Sequence, residues 1–391
     1  MENQKKQSAL HNFYQESPHT RVSKVETFVG LSINHVQTLL DFQGHAFQTF
    51  NLMSENVIST LPTPLSIATN FIINRRELLV PMVTEEPSVV AAASHGAKRA
   101  RQAGGFTVTW SEPLMEGLIQ VVNVPDINAA VAAIMAHNKL LLECANQKDP
   151  MLVSKGGGAQ DIKCVELQTT RGTMLIVTLT VDVRDAMGAN IVNTMAEGIA
   201  PMIAQLSKGT VRMAVISNYS IQRIAKASAR WSIAELGQNV IDALLDAHAF
   251  ACADIRRAAT HNKGIMNGVE AVARATGNDT RALEAAAHSY AARSGTYMPL
   301  SHYQQEPNGD LVGTLELPIP VGIVGGSTQI NPIAKTSLAI LQPTSAQELG
   351  GIMTAVGLAQ NFAALRALVC EGIQQGHMHL HQRALKTVEH I

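Results

Sequence analysis

Four short stretches of the 391-residue chain combine ionisable side chains with glycine or proline punctuation, and each could do chemistry. In ATHNKGIMNG, Lys263 stands alone among amides and glycines; such a cation can stabilise an oxygen on which negative charge develops, most strongly where water is excluded. The other reading of these residues is a turn before a helix IMNGVEAVARAT, with Lys263 in solvent. VTEEPSVVAAASHGAKRA sets Glu85 and Glu86 before Pro87, where they either complement the dipole of a helix start or, if burial raises a pKa, act as a general acid. ATGNDTRALEAAAHSYAARSG offers Asn278 or Asp279 as a helix N-cap. Asp279 is sixteen residues from Lys263 and on a different element, so only tertiary packing can join them. GIQQGHMHLHQRALK carries His377, His379 and His381, which would point one way on a strand, as metal ligands do. The preceding SAQELGGIMTAVGLAQNFAALRALVCEGIQQ predicts a helix, on which His379 turns away. A histidine acid titrating near neutrality then suits the segment better.

Glycine-rich signals are weaker. No G-x-G-x-x-G follows the first strand of the central region, and SKGGGAQDI opens a strand, so it lacks the dinucleotide-fingerprint context. DVRDAMGANIVNT runs from a strand into a helix and could aim free amides at a phosphate.

The elements that must position these residues show as periodicity. From about Gly104, GGFTVTW and EGLIQVVNV are β-rich, and PDINAAVAAIMAHNKLLLECANQ has helical spacing with Pro125 and Asp126 near its start. DIKCVELQTTRGTMLIVTLTVDV predicts two strands about a Thr-Arg-Gly turn, DAMGANIVNTMAEGIAPMIAQLSKG a helix, and TVRMAVISN a closing strand. The order β-β-α-β-β-α-β fits a split βαβ, ferredoxin-like layer better than the alternation of a doubly wound sheet. Residues 109–216 therefore read as a compact unit inserted into a larger one, 1–108 and 217–376, with largely helical flanks; the fold class is α+β. Residues 1–50 read as a helical arm that could dock on a neighbouring subunit.

Composition removes whole classes of function. Net charge is −1, charged residues are 16%, and no basic stripe interleaves with aromatics, which argues against nucleic acid and anionic membranes as partners. The polar N-terminus lacks a signal-peptide core, and no run of eighteen apolar residues predicts a membrane span. Cys144, Cys164, Cys252 and Cys370 fall in no C-x-x-C or zinc-ribbon pattern, so reduced thiols and a cytoplasmic location are expected.

Taken in order from about residue 55 to 383, the blocks ENVIST, PMVTEEPSVVAAA, GGGAQDI, DVRDAMGANIVNTMAEG, RAATHNKGIMNG, ATGNDTRA, LVGTLELPIPVGIVGG, AVGLAQN and GHMHLHQR resemble 3-hydroxy-3-methylglutaryl-coenzyme A (HMG-CoA) reductase of the soluble, bacterial class II form. The resemblance implies reduction of a thioester in two hydride steps, through mevaldyl-CoA and mevaldehyde, to mevalonate and free coenzyme A. It implies that Lys263 faces the substrate carbonyl oxygen, Glu86 is the general acid and base, Asp279 orients and tunes both, and His377 protonates the leaving coenzyme A thiolate. On that role His377→Gln should suppress thioester reduction and spare added mevaldehyde.

Further positions carry over by the same resemblance. Ser88, Asn218, Arg257, Asn267, Gly325 and Gly326 match contacts to the acyl substrate, and Asp185, Met187, Gly188 and Asn190 match contacts to the dinucleotide. Their other reading is as turns and helix caps. Asp149, before the triple glycine, matches an aspartate of members that favour NADH over NADPH; a carboxylate accepts from ribose hydroxyls and repels a 2′-phosphate. The family pattern also implies a homodimer or dimer-based hexamer with its site at the subunit interface. It implies a C-terminal flap as well, of which residues 377–391 would be a shortened or truncated start. The rival readings are a metal-dependent hydrolase built on the C-terminal histidines and a non-catalytic coenzyme A-binding homologue.

Overall fold

The structure, a computed structural model, describes residues 7–40, 53, 55–56 and 61–370. Ten strands make two sheets: β1 (Leu65–Ile73), β2 (Arg76–Val83), β3 (Phe106–Trp110), β4 (Leu114–Val122), β5 (Gly158–Thr169), β6 (Gly172–Asp182), β7 (Thr210–Ile216), β8 (Ile224–Trp231), β9 (Ser301–Gln305) and β10 (Leu311–Pro318). The fold is α+β.

The smaller sheet has the order β5-β6-β4-β7 and is antiparallel throughout. In chain order its strands and helices run β-α-β-β-α-β, the split βαβ arrangement. Strand β4 alternates buried and half-buried residues, so one face meets solvent and the other packs on helices. Met115, Ile119 and Val121 from that face join Val192, Met195 and Ile199 of the Ala189–Ser207 helix in a separate core.

The larger sheet runs β2-β1-β3-β8-β10-β9, with only β1 and β3 parallel. Here the structure corrects the sequence reading: FTVTW, grouped above with the insert, is β3 and pairs with β1 and β8. Alternation predicted a strand but not its partner. Phe106 and Val108 point into the large core, where the Phe106 ring lies 5.8 Å from that of Phe71. The flanks thus hold a six-stranded sheet that their alanine-rich helices overshadow in the sequence.

The Ala346–Cys370 helix runs through the middle of the large unit. It is the one described helix long and apolar enough to cross a membrane, and 72% of its most apolar window is buried inside the protein. Phe362 on it stacks against Trp231 of β8, ring centroids 4.0 Å apart. Small residues bring helices close: a Cβ on Gly96, in the Val89–Arg101 helix, would sit 2.2 Å from the Ala359 carbonyl oxygen. The described part of the N-terminal arm docks on its own chain, with Phe13, Val25 and Val29 packed on Leu79 and Ile340.

Candidate active site

Lys263 lies inside the Ile255–Ala275 helix, not in a turn before it. Asp254 caps that helix by accepting from the Arg256 and Arg257 amides, which puts the start eight residues ahead of Lys263. Lys263 Nζ donates to Glu86 Oε2 at 2.9 Å. The two side chains are 61% and 41% exposed, so the pair sits at a rim open to solvent. An exposed pair of this kind contributes about 0–1 kcal/mol to stability. Stability alone is a weak reason for it.

The pair borders a cavity of about 440 Å³ between the Val89–Arg101, Ile255–Ala275 and Ala346–Cys370 helices, whose wall also holds Ser88, Arg257 and Asn267. Ser88 precedes its helix at φ 76°, a left-handed conformation that serine rarely adopts, and its Oγ is buried without a hydrogen-bond partner. No acidic partner meets the Arg257 guanidinium among the described residues, and burial pulls its pKa down. An unpaired, half-buried guanidinium beside an ammonium suits a ligand with one carboxylate and one polarised carbonyl.

Asp279 is elsewhere. It caps the Thr280–Ala291 helix, accepting from the Arg281 and Ala282 amides. Burial pushes its carboxyl up, but the Ala282 amide and the Arg281 side chain outweigh that and hold it below the usual range. The Ile255–Ala275 helix continues twelve residues past Lys263, about 18 Å of axis, before Gly277 turns the chain. Lys263 and Asp279 of one chain are therefore out of each other's reach. Among the described residues Asp279 bonds to neither Glu86 nor Lys263.

Around Asp279 the structure gathers the other motif residues. Asn278 Oδ1 accepts from Gly322 N, Ile323 N donates to the Asp185 carbonyl, and a Cβ on Gly322 would lie 2.6 Å from Met187 N. Gly325 and Gly326 follow, both at positive φ and facing open space. Gly188, at φ 105°, is the N-cap of the nineteen-residue Ala189–Ser207 helix and has no side chain to cap it. The first amides, next to exposed Asn190, remain for an anion, which fits a dinucleotide pyrophosphate. The Asp185 carboxylate is engaged structurally, accepting from Ala346 N. Asp149 caps the Pro150–Ser154 helix through Leu152 N; that helix leads into the triple glycine, where Arg184 donates to the Gly156 carbonyl. Asn218 sits apart, exposed in the turn after β7. His377, and with it the His379 and His381 metal reading and the 377–391 flap, lies outside the described residues.

Sequence reasoning missed two buried residues. Arg223 is 3% exposed and donates to the Ala186, Met187 and Val321 carbonyls, tying the loop after β6 to the large unit. Burial draws its pKa down to about 10 against the pull of Asp185 and Asp182, so it stays charged at neutral pH. His261, two residues before Lys263, lines the cavity and is 2% exposed. Neither has a local signature; long-range contacts alone single them out.

Comparison with known proteins agrees with the ordered motifs. The family model described as hydroxymethylglutaryl-coenzyme A reductase matches residues 17–382. The 3-hydroxy-3-methylglutaryl-coenzyme A reductase of Archaeoglobus fulgidus is 50% identical over 379 residues, covering 97% of this chain and 86% of that protein. A probable reductase of the same name from Borreliella burgdorferi is 34% identical, covering 95% and 85%. The class II reductase of Streptococcus pneumoniae, solved with NADPH in open conformations, superposes with a TM-score of 0.89 at 39% identity, covering 92% of this chain and 99% of that one.

Proposed function

Because this chain belongs to the hydroxymethylglutaryl-coenzyme A reductase family, which interconverts HMG-CoA and mevalonate through a pyridine nucleotide, we propose that Lys263 and Glu86 are the groups that handle the reacting oxygen. The carrying observation is their 2.9 Å contact at the rim of a cavity that also holds the unpaired Arg257. On this reading Arg257 clamps the free carboxylate of the acyl group, and Ser88 and Asn267 fix its orientation. Lys263 meets the thioester oxygen with charge and a hydrogen bond. Two successive molecules of the reduced dinucleotide, held by the smaller unit, would each supply one hydride. Glu86 protonates the alkoxide left by the first transfer, takes that proton back as the C–S bond breaks and His377 protonates the departing thiolate, and then protonates the second alkoxide.

We assign acyl-CoA binding to residues 1–108 and 217–376 and dinucleotide binding to 109–216, with Asp185, Met187, Gly188 and Asn190 at the pyrophosphate end. The two groups of motif residues lie apart on one helix, Lys263 with Glu86 near its middle and Asp279 with the dinucleotide loop beyond its C-terminal end. A two-fold pairing of chains would set each group against the other's complement. Asp279 of the partner subunit then orients Lys263 and Glu86, and activity requires at least a dimer, with a dimer-based hexamer an extension of the same contact. Gly325 and Gly326 let backbone approach the substrate there.

The test is the oxidation of NADH and of NADPH in the presence of HMG-CoA, with oligomeric state followed by light scattering over a dilution series. We expect turnover that falls as dimers dissociate, and a preference for NADH set by Asp149. The S. pneumoniae relative was solved with NADPH, and Arg184 on the same rim is a cation that a 2′-phosphate would use. A clear NADPH preference therefore overturns the Asp149 assignment alone. No nucleotide oxidation, or a fully active monomer, overturns the wider reading.

A further inference from the structure

Behind the cavity wall a buried polar chain determines the protonation of His261. Tyr303 is 3% exposed and among the described residues its hydroxyl has one partner, the side-chain oxygen of Asn361 at 2.8 Å. A buried phenol must donate its proton, so the Asn361 atom it faces is the oxygen. Ser301 Oγ lies 2.9 Å from the same oxygen and must donate to it as well. With its only proton so used, Ser301 Oγ accepts from His261 Nε2, 2.6 Å away. Nε2 therefore carries the hydrogen. Burial above all, then Arg257 and His248, lowers the imidazole pKa to about 3, so the ring is neutral and Nδ1 is a bare acceptor. Nδ1 is buried and has no hydrogen-bond partner among the described residues. Across the cavity Gln360 Oε1 is in the same position.

Two buried, unpaired acceptors on residues that line one cavity call for a donor from the ligand. Along the Ile255–Ala275 helix, His261 is one turn beyond Arg257 and two residues short of Lys263. Arg257, His261 and Lys263 line the same cavity, so an acyl group whose carboxylate meets Arg257 and whose thioester oxygen meets Lys263 shares that cavity with His261. The middle carbon of that acyl group bears the tertiary hydroxyl. Resting on the function proposed above, we infer that His261 is a specificity-determining residue whose Nδ1 accepts a hydrogen bond from this hydroxyl. The site thereby selects β-hydroxyacyl thioesters over their deoxy analogues. Losing a hydrogen-bond donor that the site is built for costs more than losing a methylene, because a buried acceptor is left unpaired.

Two substitutions separate this role from support of the fold. His261→Gln keeps an amide N–H where Nε2 donates to Ser301 but removes the acceptor at Nδ1; His261→Asn does the reverse. Each is assayed for kcat/KM with HMG-CoA and with 3-methylglutaryl-CoA, which lacks the hydroxyl. The ratio of the two is independent of the fraction of protein that folds. We expect His261→Gln to narrow the preference for the hydroxylated thioester by about tenfold, the scale of one hydrogen bond, and His261→Asn to retain most of it. An equal loss on both thioesters, or an unchanged preference in His261→Gln, overturns the assignment. Such an equal loss would fit a structural role or a contact to the pantetheine arm. A wild-type protein inactive on HMG-CoA overturns it together with the reading beneath it.

Discussion

Gly264→Ala separates what the fold needs from what the cavity needs. Gly264 is in the interior of the Ile255–Ala275 helix and lines the cavity, and a Cβ built there would have no atom within 4 Å. Nothing in the packing requires glycine. Alanine is favoured over glycine inside a helix by about 0.8–1.0 kcal/mol. The entropy of unfolding is about 2.1 cal/mol/K per residue, so for 391 residues the gain is a rise in Tm of only about 1 °C. Denaturant titration is therefore the better stability assay. The new methyl would project into the cavity, on the wall between Thr260 and Asn267. A displacement of the acyl group by about 1 Å costs on the order of 100-fold in rate. The expected variant is as stable as the parent or slightly more so, with kcat/KM for HMG-CoA down about 100-fold. An enzyme with unchanged kcat/KM would refute the idea that this helix face bounds the acyl site.

Other substitutions test other links. Lys263→Ala should change stability by less than about 1 kcal/mol, because its ion pair is exposed, yet lower turnover by about 10²–10³-fold; a variant that keeps its rate refutes the oxyanion role. Arg223→Met leaves one buried and two half-buried carbonyls without their donor, and chemical denaturation should report a loss of about 1–3 kcal/mol or more together with a raised KM for the dinucleotide. Stability should also fall in acid. The folded-state pKa of His261, about 3, is below its unfolded value, so its contribution is complete above about pH 6.5 and is lost as pH drops toward 3. Between pH 6 and 4 that slope approaches about 1.4 kcal/mol per pH unit, and His261→Gln should remove one proton's worth of it in parallel denaturation curves.

Much of the local architecture follows from neighbours a few residues apart, and the chain states it openly. The alternation in EGLIQVVNV becomes the one-sided strand β4, and Asp279 caps the helix after it as its G-N-D context predicts. The order of elements in the insert resolves to a split βαβ sheet once FTVTW is moved out of it. Residue types with chemical potential were legible too, since Lys263 and Glu86 stand in stretches punctuated by glycine or proline, whereas Arg257 and Ser88 stood out only through the resemblance to a family.

Tertiary packing decided the rest. Whether Lys263 lay in a turn or a helix depended on where Asp254 began the helix, and an apolar stripe fixes a face better than a boundary. β3 joined the larger sheet because Phe106 and Val108 match that core, a choice among partners that alternation leaves degenerate. The gap between Lys263 and Asp279 is the straight length of a helix, invisible in a count of sixteen residues. The tautomer of His261 follows from Ser301, Asn361 and Tyr303, forty to a hundred residues away along the chain. Short-range patterns determine which elements form. Long-range burial and hydrogen bonding determine which of their side chains meet, and with what protons.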